Sequence, residues 1–389
     1  MISVDEALGH LFSLTSPLEV ETVPLIEAAG RVLAQPVRAG RNQPPFSASA
    51  MDGYAIIGDE ADLHAQFKVI GESAAGHGFD GTVKPGTTVR IFTGAPVPEG
   101  ATHVVIQEDV ERRGDLITIT APQDGHNIRA LGNDFRVGDA VDAPCLLSPE
   151  DVALLAAMNF AEVPVTRRPV VALISTGDEL VMPGETPGPD QIIASNTFGL
   201  HALLSKLGAE PRLLPIARDN RDSLETTFKL AEGADLIVTI GGASVGDHDL
   251  VGDVAEAMGM ERAFYKIAMR PGKPLMAGRM GDAVMVGLPG NPVSAMVCGH
   301  IFLAPMIRAF LGLGTAPTPA RTARLTRAMG PNGPRQHYQR ALVDGNAITV
   351  FNRQDSSLLS VLSRANALAI SPPHAEEMPE GSDIAYIPF

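Results

Sequence analysis

Residues 170–240 constrain this chain more than any other stretch, because apolar runs alternate there with helical patterns at a spacing suited to a parallel sheet. Strands are expected at 170–175, 211–217 and 235–240, with helices at about 195–207 and at 221–232. Antiparallel neighbours can be joined by a two-residue turn, whereas parallel ones need a crossover of a dozen residues or more, which is right-handed. The segment "DLIVTI" shows no polar alternation after its aspartate, as expected for a strand covered on both faces. The central part, 169–315, is therefore expected to be a mainly parallel α/β domain.

The flanks read differently. "MISVDEALGHLF" sets Ser3 three residues before Glu6, the capping-box spacing that starts an amphipathic helix, and it lacks the character of a signal peptide. The two prolines of "NQPPF" stop regular structure, and short β-branched runs follow from "SASAMDGYAII" to about residue 130, including the hairpin pattern "HVVIQEDVERRGDLITIT". Ser148, with Glu150 and Asp151 behind it, predicts another capped helix in "SPEDVALLAAMNF". The chain is thus divided into a helical and extended module from 1–44 and 133–168, an inserted small β domain at 45–132, the α/β domain, and a C-terminal small β-barrel-like domain at 316–389. An Asp-Gly turn marks a hairpin in that last domain, at "LVDGNAITV".

Several function classes are disfavoured by composition. A formal charge of −15 repels phosphate backbones and anionic lipid, so neither nucleic acid nor a membrane surface is an expected partner. The most apolar stretch, "VSAMVCGHIFLAPMIRAFLGLG", is interrupted by His300, Pro305 and Arg308 and reads as a buried helix. Cys145 and Cys298 are the only cysteines and lie outside any zinc or disulfide spacing, which fits a reducing, cytoplasmic setting.

In open parallel sheets ligands bind beyond the carboxyl ends of the strands, and here those loops carry charge. Strand 170–175 runs into "STGDEL" with Asp178 and Glu179, strand 211–217 into "ARDN" with Asp219, and strand 235–240 into "GGASVGDHD" with Ser244, Asp247 and His248. One aspartate at a strand end is ordinarily a helix cap. Several such loops on one rim point instead to a site, one side of which would suit a divalent cation. The loop "YKIAMRPGKP" brings Lys266, Arg270 and Lys273 to an otherwise acidic chain. "VGLPGNPVSA" places Pro289, Asn291, Pro292 and Ser294 where a helix begins, and its free amides favour an anion.

The series "SASAMDGYA", "FTGAPVPEGA", "NIRALGNDF", "STGDEL", "SNTFGL", "GGASVGDHD", "RPGKP" and "GLPGNPVS" resembles, in order and spacing, the molybdopterin molybdenumtransferase (MoeA) family, to which the enzymatic half of gephyrin is related. The resemblance implies insertion of molybdate into adenylylated molybdopterin, with hydrolysis of the adenylate, release of AMP and a requirement for Mg2+. It also implies a homodimer with a shared cleft, fed by a molybdopterin adenylyltransferase and handing its product to molybdoenzyme chaperones. Carried over residue by residue, the catalytic set is Asp52, Thr93, Asp134, Glu179, Asp219 and Asp247, with Mg2+ held by Glu179, Asp219 and Asp247. The anion-binding set is Arg129, Ser244, Lys266, Arg270, Lys273, Pro289, Asn291, Pro292 and Ser294. Asp52 and Thr93 are implied to act across the dimer. Arg270 stands where relatives often carry lysine, which exchanges a point charge for a planar fork. The alternatives are the sister adenylyltransferases, which do not need the N-terminal module or inserted domain, and a gephyrin-like scaffold, which would not need an intact acidic rim.

Overall fold

The computed structural model describes residues 1–242 and 250–389, which fall into two compact units. The first comprises Met1–Glu21, Gly30–Ala34 and Val165–Phe389, and the second Thr22–Ala29 and Gln35–Pro164.

A six-stranded sheet organises the first unit: β1 (Val170–Ser175), β2 (Glu210–Leu213), β3 (Leu236–Ile240), β4 (Met260–Tyr265), β5 (Met276–Met280) and β6 (Ala283–Leu288), in the order β2-β1-β3-β6-β5-β4. The first four strands of that order are parallel, and β5 and β4 complete the sheet antiparallel. Because side chains alternate along a strand, Val171, Leu173, Leu236 and Val238 enter one core while Ala172, Ile174 and Ile237 enter the other. The first core also receives Val4, Ala7, Leu8 and Leu11 of α1 (Val4–Leu14) and Leu200 and Leu204 of α2 (Asn196–Lys206). Leu224 and Phe228 of α3 (Arg221–Leu230) and Val251 and Val254 of α4 (Leu250–Ala257) fill the second.

Local chemistry explains where these elements begin and end. The Ser3 hydroxyl accepts from the Glu6 amide at 3.1 Å and the Glu6 carboxylate accepts from the Ser3 amide at 2.7 Å, so α1 starts with the expected capping box. The strand expected at 211–217 stops at Leu213, because Pro215 has no N–H for the ladder; Ala217 rejoins as a single parallel bridge to Thr176. The segment Pro292–Phe310 is helical throughout, with a widened π turn at Gly299–Leu303 just before Pro305, where an α-helical ring would press on the carbonyl four residues back. It is long and apolar enough to cross a membrane, but 83% of it is buried in this protein, so it is a core helix.

The last part of the first unit is a closed barrel. Strands β7 (Arg321–Leu325), β8 (Gln336–Asp344), β9 (Ala347–Val350), β10 (Ala367–Ser371) and β11 (Asp383–Pro388) run β8-β9-β7-β11-β10, and β10 pairs back onto β8. The β8–β9 hairpin forms where the sequence motif predicts, but Asp344 stays in the ladder opposite Ala347 and the turn runs through Gly345 and Asn346. Met269–Arg270 adds a short parallel strand to β8.

The second unit is built on a sheet ordered His103–Ile106, Gly53–Ile56, Thr87–Ile91, Gln66–Ser73, Leu116–Ile119, Val110–Arg113. The RRGD turn joins the last two strands, with Arg113 opposite Leu116, while the preceding "HVVI" run pairs with Gly53–Ile56 instead. Ser148 and Asp151 form the second capping box, at the start of helix Pro149–Ala157.

Asp235, at the entry end of β3, accepts both Arg167 guanidinium nitrogens at 2.8 and 2.9 Å and the Val170 amide at 2.7 Å, tying the starts of β1 and β3 together. Glu19 meets the same guanidinium at 3.0 Å but is 77% exposed. Asp235→Ala should lower unfolding stability by about 2 kcal/mol, seen as a shifted denaturant midpoint at constant slope. Glu19→Ala should cost less than about 1 kcal/mol; equal losses would show that the fork does not depend on burial.

Candidate active site

Three parallel strands of the first unit end level with one another, Ser175 beside Ile240 and Ile240 beside Leu288. Thr176 N donates to Ile240 O at 3.0 Å and Gly241 N to Leu288 O at 3.1 Å, after which the chains part and open a cavity of about 630 Å³. Gly241 has φ +102°, and a Cβ there would lie 2.6 Å from the Thr176 carbonyl. No other residue fits this point without moving the floor of the cavity.

Glu179 and Asp219 both line this cavity, and both are exposed. Their loops are fastened to one another. Arg218 Nη1 donates to the carbonyls of Gly177, Asp178 and Leu180 at 3.3, 3.1 and 3.0 Å, and the Asp178 carboxylate accepts from the Asp219 amide at 3.1 Å. Asp178 is thereby engaged in holding the loops, leaving Glu179 and Asp219 as the carboxylates facing the space among the described residues. Ile192 and Ile193 form an apolar wall opposite, paired in parallel with Leu180–Val181.

The other side is the start of the long helix. Pro289, Asn291 and Pro292 line the cavity, and Asn196 Nδ2 clamps the turn by donating to Gly290 O at 2.7 Å. Ser357 closes the edge from the barrel part, its hydroxyl and amide both donating to Asp355 at 2.6 and 2.9 Å. Those two bonds, the hydroxyl's first, hold the Asp355 carboxyl below the usual carboxylate range. Buried Arg340 fixes the same loop through Gln354 Oε1 and Asp355 O, at 3.0 and 2.7 Å.

The basic residues sit beside this cavity in sequence and fold rather than on its wall. Pro274 lines it, one residue after Lys273. Lys266 is half-buried with φ +68°, its Nζ 4.6 Å from the Tyr265 ring centre, and exposed Arg270 belongs to the strand that joins β8. His337, opposite Arg270 in that pairing, is pushed down to about 4, first by burial and then by the positive charge of Arg270, Arg340 and Arg335. Exposed Arg270, partly buried Arg335 and buried Arg340 make the surroundings of His337 locally electropositive on an acidic protein. Ser294 is 3% exposed and lies inside the helix. Ser244 and Asp247, with His248, lie outside the described residues.

Asp52, Thr93, Arg129 and Asp134 belong to the second unit. Asp52 Oδ1 accepts from the Thr93 amide and hydroxyl, both at 2.7 Å. Its loop is held by Ala48–Ser49, which pairs with Ile128–Arg129 and places Arg129 opposite Ala48. Gly53 permits this tight packing, since a Cβ would fall 2.0 Å from Val105 O. Asp134 is exposed in a separate loop anchored by its own amide to Gln43 O at 2.9 Å. The Asp52 carboxyl is held below its ordinary range, first by the Thr93 amide and then by the Thr93 hydroxyl, with a smaller contribution from Arg90.

Sequence reasoning missed Arg218, Asn196, Ser357, Arg335 and Arg340. The first two lie inside motifs already marked, "ARDN" and "SNTFGL", where a polar residue beside a marked acid or helix start is a usable signal. The others come from the barrel part and carry no local pattern.

Comparison with known proteins supplies the family. Residues 2–159 match the MoeA N-terminal region (domain I and II), 172–309 a probable molybdopterin binding domain, and 322–389 the MoeA C-terminal region (domain IV). A molybdopterin molybdenumtransferase of Nostoc sp. is 35% identical over 99% of this chain and 93% of its own length, and that of Haemophilus influenzae 34% identical over 100% and 99%. A crystal structure of the molybdopterin biosynthesis MoeA protein of Pyrococcus horikoshii superposes with a TM-score of 0.86 at 28% identity, covering 100% of this chain and 99% of that one.

Because the Asp52 pKa is depressed, the folded-state advantage of its bonds to Thr93 is present above the unfolded carboxylate pKa and is lost as pH falls through the folded one. Thr93→Val removes the hydroxyl donor and keeps the amide. The Asp52 carboxyl should then titrate at higher pH by carbon-detected NMR, while remaining below the unfolded value; an unchanged titration would show that the amide alone sets it.

Proposed function

The chain belongs to the MoeA family of molybdopterin molybdenumtransferases, and on that premise we propose that it transfers molybdenum from molybdate to adenylylated molybdopterin, hydrolysing the adenylate and releasing AMP. The observation that carries this reading is the cavity above the level strand ends, lined by Glu179 and Asp219, whose loops Arg218 and Asp178 fasten together, and by the Asn291–Pro292 helix start. Oxyanion chemistry needs negative charge offset and reacting groups held in place. Both kinds of group adjoin this space.

Among the described residues no group of three or more His, Cys, Asp or Glu side chains is placed to hold a metal ion. Two exposed carboxylates nevertheless suit Mg2+, which keeps several waters and binds through one or two carboxylates together with substrate phosphate oxygens. Glu179 and Asp219 would hold it, and its contribution would be to neutralise charge on the adenylate phosphate. The chain's own residues supply the rest. Arg218 and Asp178 keep the two carboxylate loops in register, Asn196 fixes the turn that presents Asn291, and Lys266, Lys273 and Arg270 attract the oxyanions. Arg270 presents a planar pair of donors, which suits a tetrahedral oxyanion through two parallel bonds.

We further infer that the working form is a homodimer in which Asp52, Thr93, Arg129 and Asp134 of one protomer serve the cleft of its partner. Support comes from the Asp52–Thr93 pair, which is open to solvent, and from Phe46, Met51 and Leu131, which are exposed in the same unit. Exposed apolar side chains near a polar functional group are what an association surface requires. A molybdopterin adenylyltransferase would deliver the substrate, and molybdoenzyme chaperones would receive the product.

Purified protein given adenylylated molybdopterin and Mg2+ should release AMP in proportion to added molybdate, and Asp219→Asn should cut that rate by about a hundredfold or more without loss of folding. Substrate binding without hydrolysis by the native protein would mark it as a carrier or scaffold. Sedimentation at working concentration should give twice the chain mass. If it does, mixing Asp52→Ala protein with Asp219→Asn protein should restore activity by forming one intact cleft per heterodimer; a monomer, or no restoration despite exchange, would remove the shared cleft.

A further inference from the structure

A second cavity, of about 520 Å³, lies in the first unit beside the active one, and the two share Ser195 and Asn196 as lining residues. Its character is different. Gly199, Met296, Leu362 and Ala365 make it apolar, and His300 and Phe389 lie at one side with ring centres 4.7 Å apart and planes inclined by 34°. Burial first, and then the nearby Lys206 charge, push the His300 imidazole down to about 4, so it is neutral at neutral pH. None of the side chains lining the cavity is then charged. Lys206 acts on His300 from outside that lining, and within it an uncharged flat ring would find aromatic and aliphatic contacts with a few polar groups at the rim, the usual make-up of a small-molecule site of about 300–1,000 Å³.

Asn196 stands between the two spaces. Its Nδ2 donates to Gly290 O on the active-cavity side, and its Oδ1 lies 3.4 Å from the Ser195 hydroxyl. A molecule with an anionic part and a flat uncharged part matches this pair of adjoining cavities. We propose that the second cavity is the seat of a fused nitrogen heterocycle at one end of the substrate, with the phosphate-bearing part held in the active cavity. This rests on the function proposed above. In that substrate two groups share the required chemistry, the purine of the adenylate and the pterin itself, and both offer ring faces to His300 and Phe389 and edge nitrogens to Ser195 and Ser363.

The test uses the full chain and three probes, namely adenosine, 6-hydroxymethylpterin and inorganic pyrophosphate, with binding followed by calorimetry or by the fluorescence of the pterin. Ala365→Trp fills the cavity and Phe389→Ala removes one ring. Each should weaken at least one ring probe by about tenfold, while pyrophosphate affinity stays within about twofold. Loss of adenosine alone assigns the seat to the purine, and loss of the pterin alone assigns it to the pterin. Unchanged affinity for both ring probes in Phe389→Ala, which removes atoms and leaves the fold able to form should Ala365→Trp not fold, overturns the proposal, as does failure of both probes to bind the native protein. Native protein that binds a ring here and releases no AMP would sink the proposed reaction and leave the seat standing. AMP release with an unchanged KM in both variants would do the reverse.

Discussion

Everything chemical in the first unit depends on the level ending of three parallel strands. Parallel hydrogen bonding fixes Ser175, Ile240 and Leu288 at one height, and the loops that follow have no further ladder partner. Their backbone groups must turn outward together, which makes a cavity whose floor is peptide and whose walls are whatever side chains the loops carry. The antiparallel pair β5 and β4 extends the sheet and brings its connection to the same rim, where Pro274 lines the cavity. Position in the sheet therefore decides which acids are brought together.

Charge on the rim is organised by bonds between charged side chains and neutral partners. Arg218 gives its donors to three carbonyls rather than to a carboxylate, so its charge holds the loop without cancelling Glu179 or Asp219. Asp178 serves as an acceptor for the neighbouring loop's amide, and Asp355 does the same for Ser357. In each case one charged residue is taken up in fixing backbone, and in the first two Glu179 and Asp219 are left lining the cavity. Asp52 is treated differently: two donors from Thr93 keep it ionised and oriented at a solvent-facing position.

Much of this was legible in the sequence, for reasons that can be named. The α/β alternation, the two capping boxes and the Gly-containing hairpin turn in the barrel are all local patterns, and each appears where expected. Glu179 and Asp219 were found because strand ends in a parallel sheet share a rim. Contacts between distant segments were not legible. Ser357 reaches the cavity from a barrel loop, and Arg335 and Arg340 add charge near Arg270 from a strand some 65 positions away, with no periodicity to announce either. The basic loop shows the same limit from the other side: its charges were visible, but its curled path through Lys266 and the strand at Met269–Arg270 depends on partners in α1's leader and in β8. Pro215 was visible as well, yet a proline in an edge strand shortens the ladder without stopping the chain from returning to it at Ala217.

The strand Met269–Arg270 also changes what counts as a part of this molecule. By pairing with β8 it lends two residues of the α/β region to the barrel, so the barrel's sheet is not encoded wholly by the last stretch of chain. A gene fragment cut before residue 316 would carry away five strands and leave behind the sixth, and the outer edge of β8 would be bare at the Gln336–His337 end. Shuffling such a barrel between relatives would require the short segment around Arg270 to travel with it, or to be matched in the recipient. The heritable unit is thus set by a pairing partner rather than by a linker, and the basic loop and the barrel should diversify together.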